Sequence, residues 1–148
     1  MGRNCTAMTP LDLTLAPPRD PRAELAGVIF LPRSIDKLRA ELPGGNPGVY
    51  TVAGFTEMMF EQLGIELATI TAEIASAETE AKIAAFVQGA TTPEKIAAWN
   101  AFVSQRQPRG GNRVEARAIF PWIDEHPELT LALDLLREDD RRLFAGRT

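Results

Sequence analysis

Between Leu31 and Leu42 the apolar residues Leu31, Ile35, Leu38 and Leu42 recur at i, i+4, i+7 and i+11, the repeat of one face of an α-helix. That repeat returns in segment after segment and constrains the chain more than any other feature. Phe55, Met59 and Leu63 keep it up to Gly64; Leu67, Ile70, Ile74 and Ala77 carry it on; Ile83, Phe86 and Val87 lead to Gly89. Thr92-Pro93-Glu94 then supplies a capping hydroxyl, a proline at the position where its missing N–H costs nothing, and an acid facing the positive helix end. A helix through Ile96, Trp99 and Val103 follows. Beyond Pro108, Gly110 and Gly111 mark a loop, Val114 to Phe120 restarts a helix that Pro121 interrupts, and His126-Pro127 opens a last helix with Leu129, Leu133 and Leu136 toward the core.

Strand signals are few. Val49, Tyr50, Thr51 and Val52 make Gly48 to Ala53 the one good strand candidate, with Val28 to Phe30 as its partner. The expected fold is mainly α, a compact multi-helix domain with at most a small two-stranded β element. A chain of 148 residues can bury a single sizeable core, and no linker divides it. Residues 1–10 read as a flexible N-terminal extension and residues 11–148 as a single helical domain.

Composition narrows function by exclusion. Sixteen Lys and Arg against twenty Asp and Glu give a net charge of -4, so no nucleic-acid partner is expected. Cys5 is the single cysteine and no Cys/His cluster has a metal-ligand spacing, so neither a metal nor a cofactor is expected. The longest apolar stretch is far short of the ~20 residues of a membrane helix, and the N-terminus lacks a secretory apolar run. The expected compartment is the cytoplasm. Met1-Gly2-Arg3-Asn4-Cys5-Thr6 matches a loose myristoylation motif. Residues 1–7 read more simply as an upstream extension, with Met8 an alternative start.

The chemistry concentrates around the first helix. Opposite its apolar stripe stand Arg33, Asp36 and Lys37, with Arg39 to one side, before Pro43, Gly44 and Gly45 end the helix. In the preceding arm, Pro17, Pro18 and Pro21 interleave with Arg19, Asp20 and Arg22. Pro18-Arg19-Asp20-Pro21 is formally a PxxP docking ligand; Asp20 as N-cap and Pro21 as first residue of a short helix ending at Gly27 is the better supported reading. A guanidinium holds a carboxylate or phosphate through two parallel hydrogen bonds, and an acid one turn away can orient it. Arg33, Asp36, Lys37 and Arg39, joined by Arg19 and Arg22, thus form the first candidate site, suited to a small anionic molecule. The plain alternative is a solvated face of ion pairs, each worth about 0.2–0.5 kcal/mol.

Trp99 and Asn100 are the second candidate, since an amide bordering an apolar stripe needs partners and can orient a ligand. Tyr50, Phe55, Met58, Met59 and Phe60 either wall an apolar pocket or pack the core. His126, the single histidine, is a natural general base but reads as a helix-boundary residue before Pro127. Ser34, Ser76 and Ser104 lack the surroundings of a nucleophile elbow, and the Gly-Gly-Asn runs at Gly44 and Gly110 lack the spacing of a phosphate loop.

Asp12-Leu13-Thr14, Pro17-Pro18-Arg19, Pro21-Arg22, Leu31-Pro32-Arg33 with Ile35-Asp36-Lys37 and Arg39-Ala40, Gly48, Tyr50, Leu63-Gly64-Ile65, Ile96-Ala97, Trp99, Leu135-Leu136 and Asp139-Asp140 resemble the bacterial domain-of-unknown-function family numbered 5069. The likeness runs from Leu11 to Gly146. It implies no established activity. Between Tyr50 and Gly64 the family pattern has a Cys-Pro pair followed by an Asp and a Gln, where this chain has Ala53-Gly54-Phe55-Thr56-Glu57.

Two functions follow from these residues. One is a small-molecule-binding domain, extending to a cofactor-free enzyme of proton transfer or isomerisation, with Asp36, Lys37 or Tyr50 as acid or base and Arg19, Arg22, Arg33, Arg39, Trp99 and Asn100 binding the ligand. The other is a non-catalytic interaction module docking through the Pro/Arg arm and the charged helix. A concave pocket holding Arg33 and Lys37 favours the first; a flat exterior favours the second.

Overall fold

The computed structural model describes residues 8–108 and 113–145. The myristoylation-like pattern and the Gly110-Gly111 loop lie outside them. A hairpin of β1 (Glu24–Leu25) and β2 (Val28–Ile29) leads directly into α1 (Leu31–Ala40). After it come α2 (Phe55–Leu63), α3 (Leu67–Ser76), α4 (Glu80–Ala90), α5 (Pro93–Ser104), the short α6 (Arg113–Ala116), a 3₁₀ turn (Ile123–Glu125) and α7 (Ala132–Phe144). The chain is 54% helical, and the two-stranded antiparallel hairpin is the one sheet among the described residues, as the periodicity implied.

Local chemistry accounts for most boundaries. Thr92 Oγ1 accepts from the Lys95 backbone N–H at 3.2 Å with Pro93 behind it, and Thr79 caps α4 in the same way. Gly64, at φ 76°, closes α2 in the left-handed region where a Cβ would be strained.

Four local readings are corrected. Pro21 to Gly27 is not a helix. Asp20 Oδ1 turns back to the Arg22 N–H at 2.8 Å, and Ala26 (φ 57°) and Gly27 (φ 76°) then form the two-residue turn of the hairpin, with Leu25 opposite Val28. Gly48 to Ala53 is not a strand, and β2 pairs with β1 instead. Asn46 Oδ1 accepts from Gly48 N–H at 3.0 Å and Pro47 O from Tyr50 N–H at 3.0 Å, so turn chemistry overrides the β-branched residues that follow. The last helix begins at Ala132 rather than at Pro127, because residues 127–131 run as turn and extended chain, and the helix after Pro108 is held to α6 and a following turn.

The main core gathers Ile35, Leu38, Met59, Phe60, Ile70, Ile74, Ile83, Trp99, Val103 and Leu133, all at most 2% exposed. A second cluster of Ala116, Phe120, Trp122, Ile123 and Leu135 lies under the 3₁₀ turn. Leu136 packs against both clusters. The start of the described chain is pinned: Met8 N–H donates to Ala77 O at 3.0 Å and Met8 packs on the main core.

At the centre stands α1, of which every residue except Arg39 is buried. Its polar line is therefore neither solvated nor flat. Arg33, Ser34, Asp36 and Lys37 are all at most 7% exposed, and each such group taken from water needs a partner or a reason.

Candidate functional site

Arg33 and Lys37, one helical turn apart on α1, face a cavity of about 590 Å³ between α1, the chain from Val49 to Phe55, residues 106–108 and α7. Its walls are mainly apolar: Phe30, Phe55, Met58, Phe120 and Leu136, with Val49, Ile119 and Leu143 around the mouth. The last three are 76%, 48% and 38% exposed, so the rim is apolar too. Tyr50, Arg106 and Asp139 add polar groups. A mostly apolar hollow with a few converging polar groups is what a small-molecule site requires.

The polar groups differ in what they still have to offer. Arg33 donates from Nη1 to Asp140 Oδ2 at 2.7 Å and from Nη2 to Asp140 Oδ1 at 3.1 Å. Tyr50 Oη donates to the same Oδ1 at 2.7 Å, and the Arg33 guanidinium lies 5.4 Å from the Tyr50 ring centroid. Burial, and then the bond to the Asp140 carboxylate, raise the Tyr50 pKa, so the phenol keeps its proton. Arg33 also reaches Arg19 O at 3.2 Å, yet its Nε is buried without an acceptor.

Lys37 is placed differently. Its Nζ lies 5.2 Å from the Phe30 ring centroid and has no hydrogen bond or ion pair among the described residues. Burial, with the adjacent Arg33 charge adding to it, pulls its pKa down to about 7, against weaker opposition from Asp140 and Glu41. An amine with that pKa is substantially uncharged at neutral pH and keeps a lone pair to use. Phe30, which lies under both cations, holds φ at 80°, a strained value for a non-glycine residue. Arg106 also lines the cavity, 5.3 Å from the Phe102 ring centroid, without an ion pair among the described residues. Burial raises the Asp139 pKa, against the opposing hydrogen bond that it accepts from Trp122 Nε1 at 3.1 Å.

Of the residues expected at a site, the structure brings together Arg33, Lys37 and Tyr50. Asp36 points elsewhere: it accepts from Arg19 N at 2.8 Å, Arg19 Nε at 3.1 Å and Arg19 Nη2 at 3.0 Å, and Arg19 continues to Glu80 Oε2 at 2.9 Å. Those three residues and Arg39 line a separate hollow of about 470 Å³, where Arg39 Nε donates to Thr9 O at 2.9 Å. Arg22 pairs with Asp134 at 3.0 Å. Trp99 is fully buried and donates to Ile29 O at 2.8 Å. Asn100 clips the hairpin, accepting from Ile29 N–H at 3.0 Å and donating to Gly27 O at 2.8 Å.

Asp140, Asp139 and Arg106 are the residues that sequence reasoning did not assign to a site. For Asp140 a signal existed. Leu133, Leu136 and Asp140 stand at i, i+3 and i+7, which puts an acid on the apolar stripe of α7. Arg106 follows α5 in an irregular segment with no period to read. Ala53, Gly54 and Phe55, where the chain departs from the family pattern, line the same cavity as Lys37.

The fold and its cavity define a mainly α domain with a buried charged helix whose Lys37 has no ion partner among the described residues. The chain belongs to the family described as domain of unknown function (DUF5069), whose model matches residues 15–142. Among curated proteins there is no significant sequence match. Among the described residues no helix is long and apolar enough to cross a membrane, and no group of three or more His, Cys, Asp or Glu could hold a metal ion.

Proposed function

We propose that the chain binds a small molecule with an acidic group and an apolar body in the α1–α7 cavity, and acts on it by cofactor-free proton transfer or isomerisation. One observation carries this reading: the Lys37 amine faces the cavity with no acceptor of its own among the described residues. Lys37 serves as acid and base, and Tyr50 stands beside it as a protonated phenol. Arg33 is neutralised by Asp140, so it shapes the potential at Lys37 rather than gripping the ligand. The ligand's acidic group falls to Arg106. Asp36, Arg19, Arg22, Arg39 and Asn100 hold the arm and hairpin against the helices.

The docking alternative has less support. It needs a free arm and an exterior α1, whereas Arg19 and Arg22 are engaged by Asp36, Glu80 and Asp134, and α1 is central. A bacterial, cytoplasmic setting belongs to the same proposal, resting on one cysteine, an acidic balance and the family resemblance.

A thermal-shift series of aliphatic and aromatic carboxylates tests the binding. A ligand at about 100 times its Kd stabilises the native state by about 2.7 kcal/mol, which such a melt resolves. The expected result is a shift for acids with an apolar body, none for acetate, and a weakened response in Arg106→Gln and Lys37→Met. A wild-type protein indifferent to the whole series would end the reading.

A further inference from the structure

The chain contains three lysines, Lys37, Lys82 and Lys95. Two are exposed; Lys82 also pairs with Glu78 at 3.2 Å. Lys37 lines the cavity instead. Phe30, Phe55 and Met58 line the same cavity, and no carboxylate reaches the Lys37 nitrogen among the described residues. Arg106, which lines the same cavity, has no ion pair among the described residues, and Tyr50 offers a hydroxyl oxygen whose own proton is committed to Asp140. An amine without an ion partner, in a mainly apolar cavity that a second cation also lines, is arranged for an electrophile that also carries an acid.

We infer that Lys37 forms an imine with the ketone or aldehyde carbonyl of an oxo acid that carries an apolar substituent, its carboxylate taken by Arg106. The inference rests on the small-molecule reading of the cavity and names its substrate class. The Nζ lone pair attacks the carbonyl carbon, the C=O π pair moves to oxygen, and a proton passes from nitrogen to that oxygen, giving a carbinolamine. Protonation of its hydroxyl and loss of water then leave a C=N⁺H bond, so one amine, one carbonyl and one proton become one iminium and one water. The iminium acidifies the adjacent C–H, and hydrolysis restores the amine.

The test uses the full chain at pH 7 with 2-oxo-4-phenylbutanoate and sodium cyanoborohydride, which delivers hydride to the iminium carbon and makes the adduct permanent. In parallel, 4-phenylbutanoate, which lacks the ketone, reports occupancy of the cavity by thermal shift. The expected result is one adduct per chain, mapped by peptide mass spectrometry to Lys37, with occupancy about tenfold or more above Lys82 and Lys95, because a desolvated amine spends more time unprotonated. Lys37→Met should lose the adduct, and peptide mapping of the wild type decides the question even if that variant folds poorly. Modification spread over Lys82, Lys95 or the amino terminus, or no adduct at all, overturns the imine. If 4-phenylbutanoate binds while no adduct forms, the imine fails and the binding reading stands; if neither occurs, both fail.

Discussion

Arg33 on α1 and Asp140 on α7, 107 residues apart in the chain, meet through two parallel hydrogen bonds of 2.7 and 3.1 Å, with side chains only 3% and 10% exposed. The pair ties the first helix to the last beside the cavity that Arg33 lines. Breaking a buried pair strands its survivor without solvent, so Arg33→Met and Asp140→Ala should each cost about 3–5 kcal/mol in urea unfolding. The double variant Arg33→Met/Asp140→Leu should cost clearly less than the sum, because it strands no charge. Additive losses would mean that the two residues do not act as a pair.

Lys37 links stability to pH with a definite sign. Its folded pKa is drawn down to about 7 from 10.5, so between those values the unfolded chain holds a proton that the folded chain lacks. Stability should therefore rise with pH across that window, by up to about 1.4 kcal/mol per pH unit from this group. Below about pH 7 both states are protonated and the full penalty is present. Lys37→Met removes the penalty: it should be more stable than wild type at pH 6, with the gap closing toward pH 10. Urea denaturation at a series of pH values measures the gap, and a constant gap would contradict the assignment.

Asn100 should be structural in a way that hydrogen exchange can see. Asn100→Ala leaves the Ile29 N–H and Gly27 O without their side-chain partner, costing about 1–2 kcal/mol and speeding exchange at Ile29. If the variant instead keeps its stability and alters only ligand response, the amide belongs to a binding site.

Ala26 offers a gain. It holds φ 57° at the first position of a two-residue turn whose second residue is Gly27. Asn tolerates that conformation and Asn-Gly is the favoured pair in such turns, so Ala26→Asn should raise the unfolding free energy by about 0.5–1 kcal/mol. A loss of stability in the melt would show that the partly buried Ala26 methyl matters more than the turn.

The helical elements were legible because their signals are local. Thr92-Pro93-Glu94 and the Leu31 to Leu38 repeat each need only a few neighbouring residues to be read, and both elements form. The hairpin was hidden because its turn carries Ala26 where Asn would have announced it, and Val49 to Val52 misled because strand propensity counts only when a neighbouring strand accepts the pairing. At the candidate site, Arg33, Lys37 and Tyr50 were found from the polar line of α1 and the aromatic segment after it. Arg106 gave no pattern to recognise.

What the sequence determined by itself is the mainly α class, the position of most helices, and the charged line that α1 carries. Only the tertiary structure decided what those charges do. Helical periodicity states which side chains share a face but not what that face meets, and α1, buried except at Arg39, packs against β1 and α3 and meets Asp140 of α7. That enclosure gives Arg33 a partner in Asp140 and Asp36 a partner in Arg19, and leaves Lys37 with none among the described residues. Desolvation and ion pairing are properties of the surroundings, so the difference between a spent charge and an available amine arises only when α1 and α7 come together.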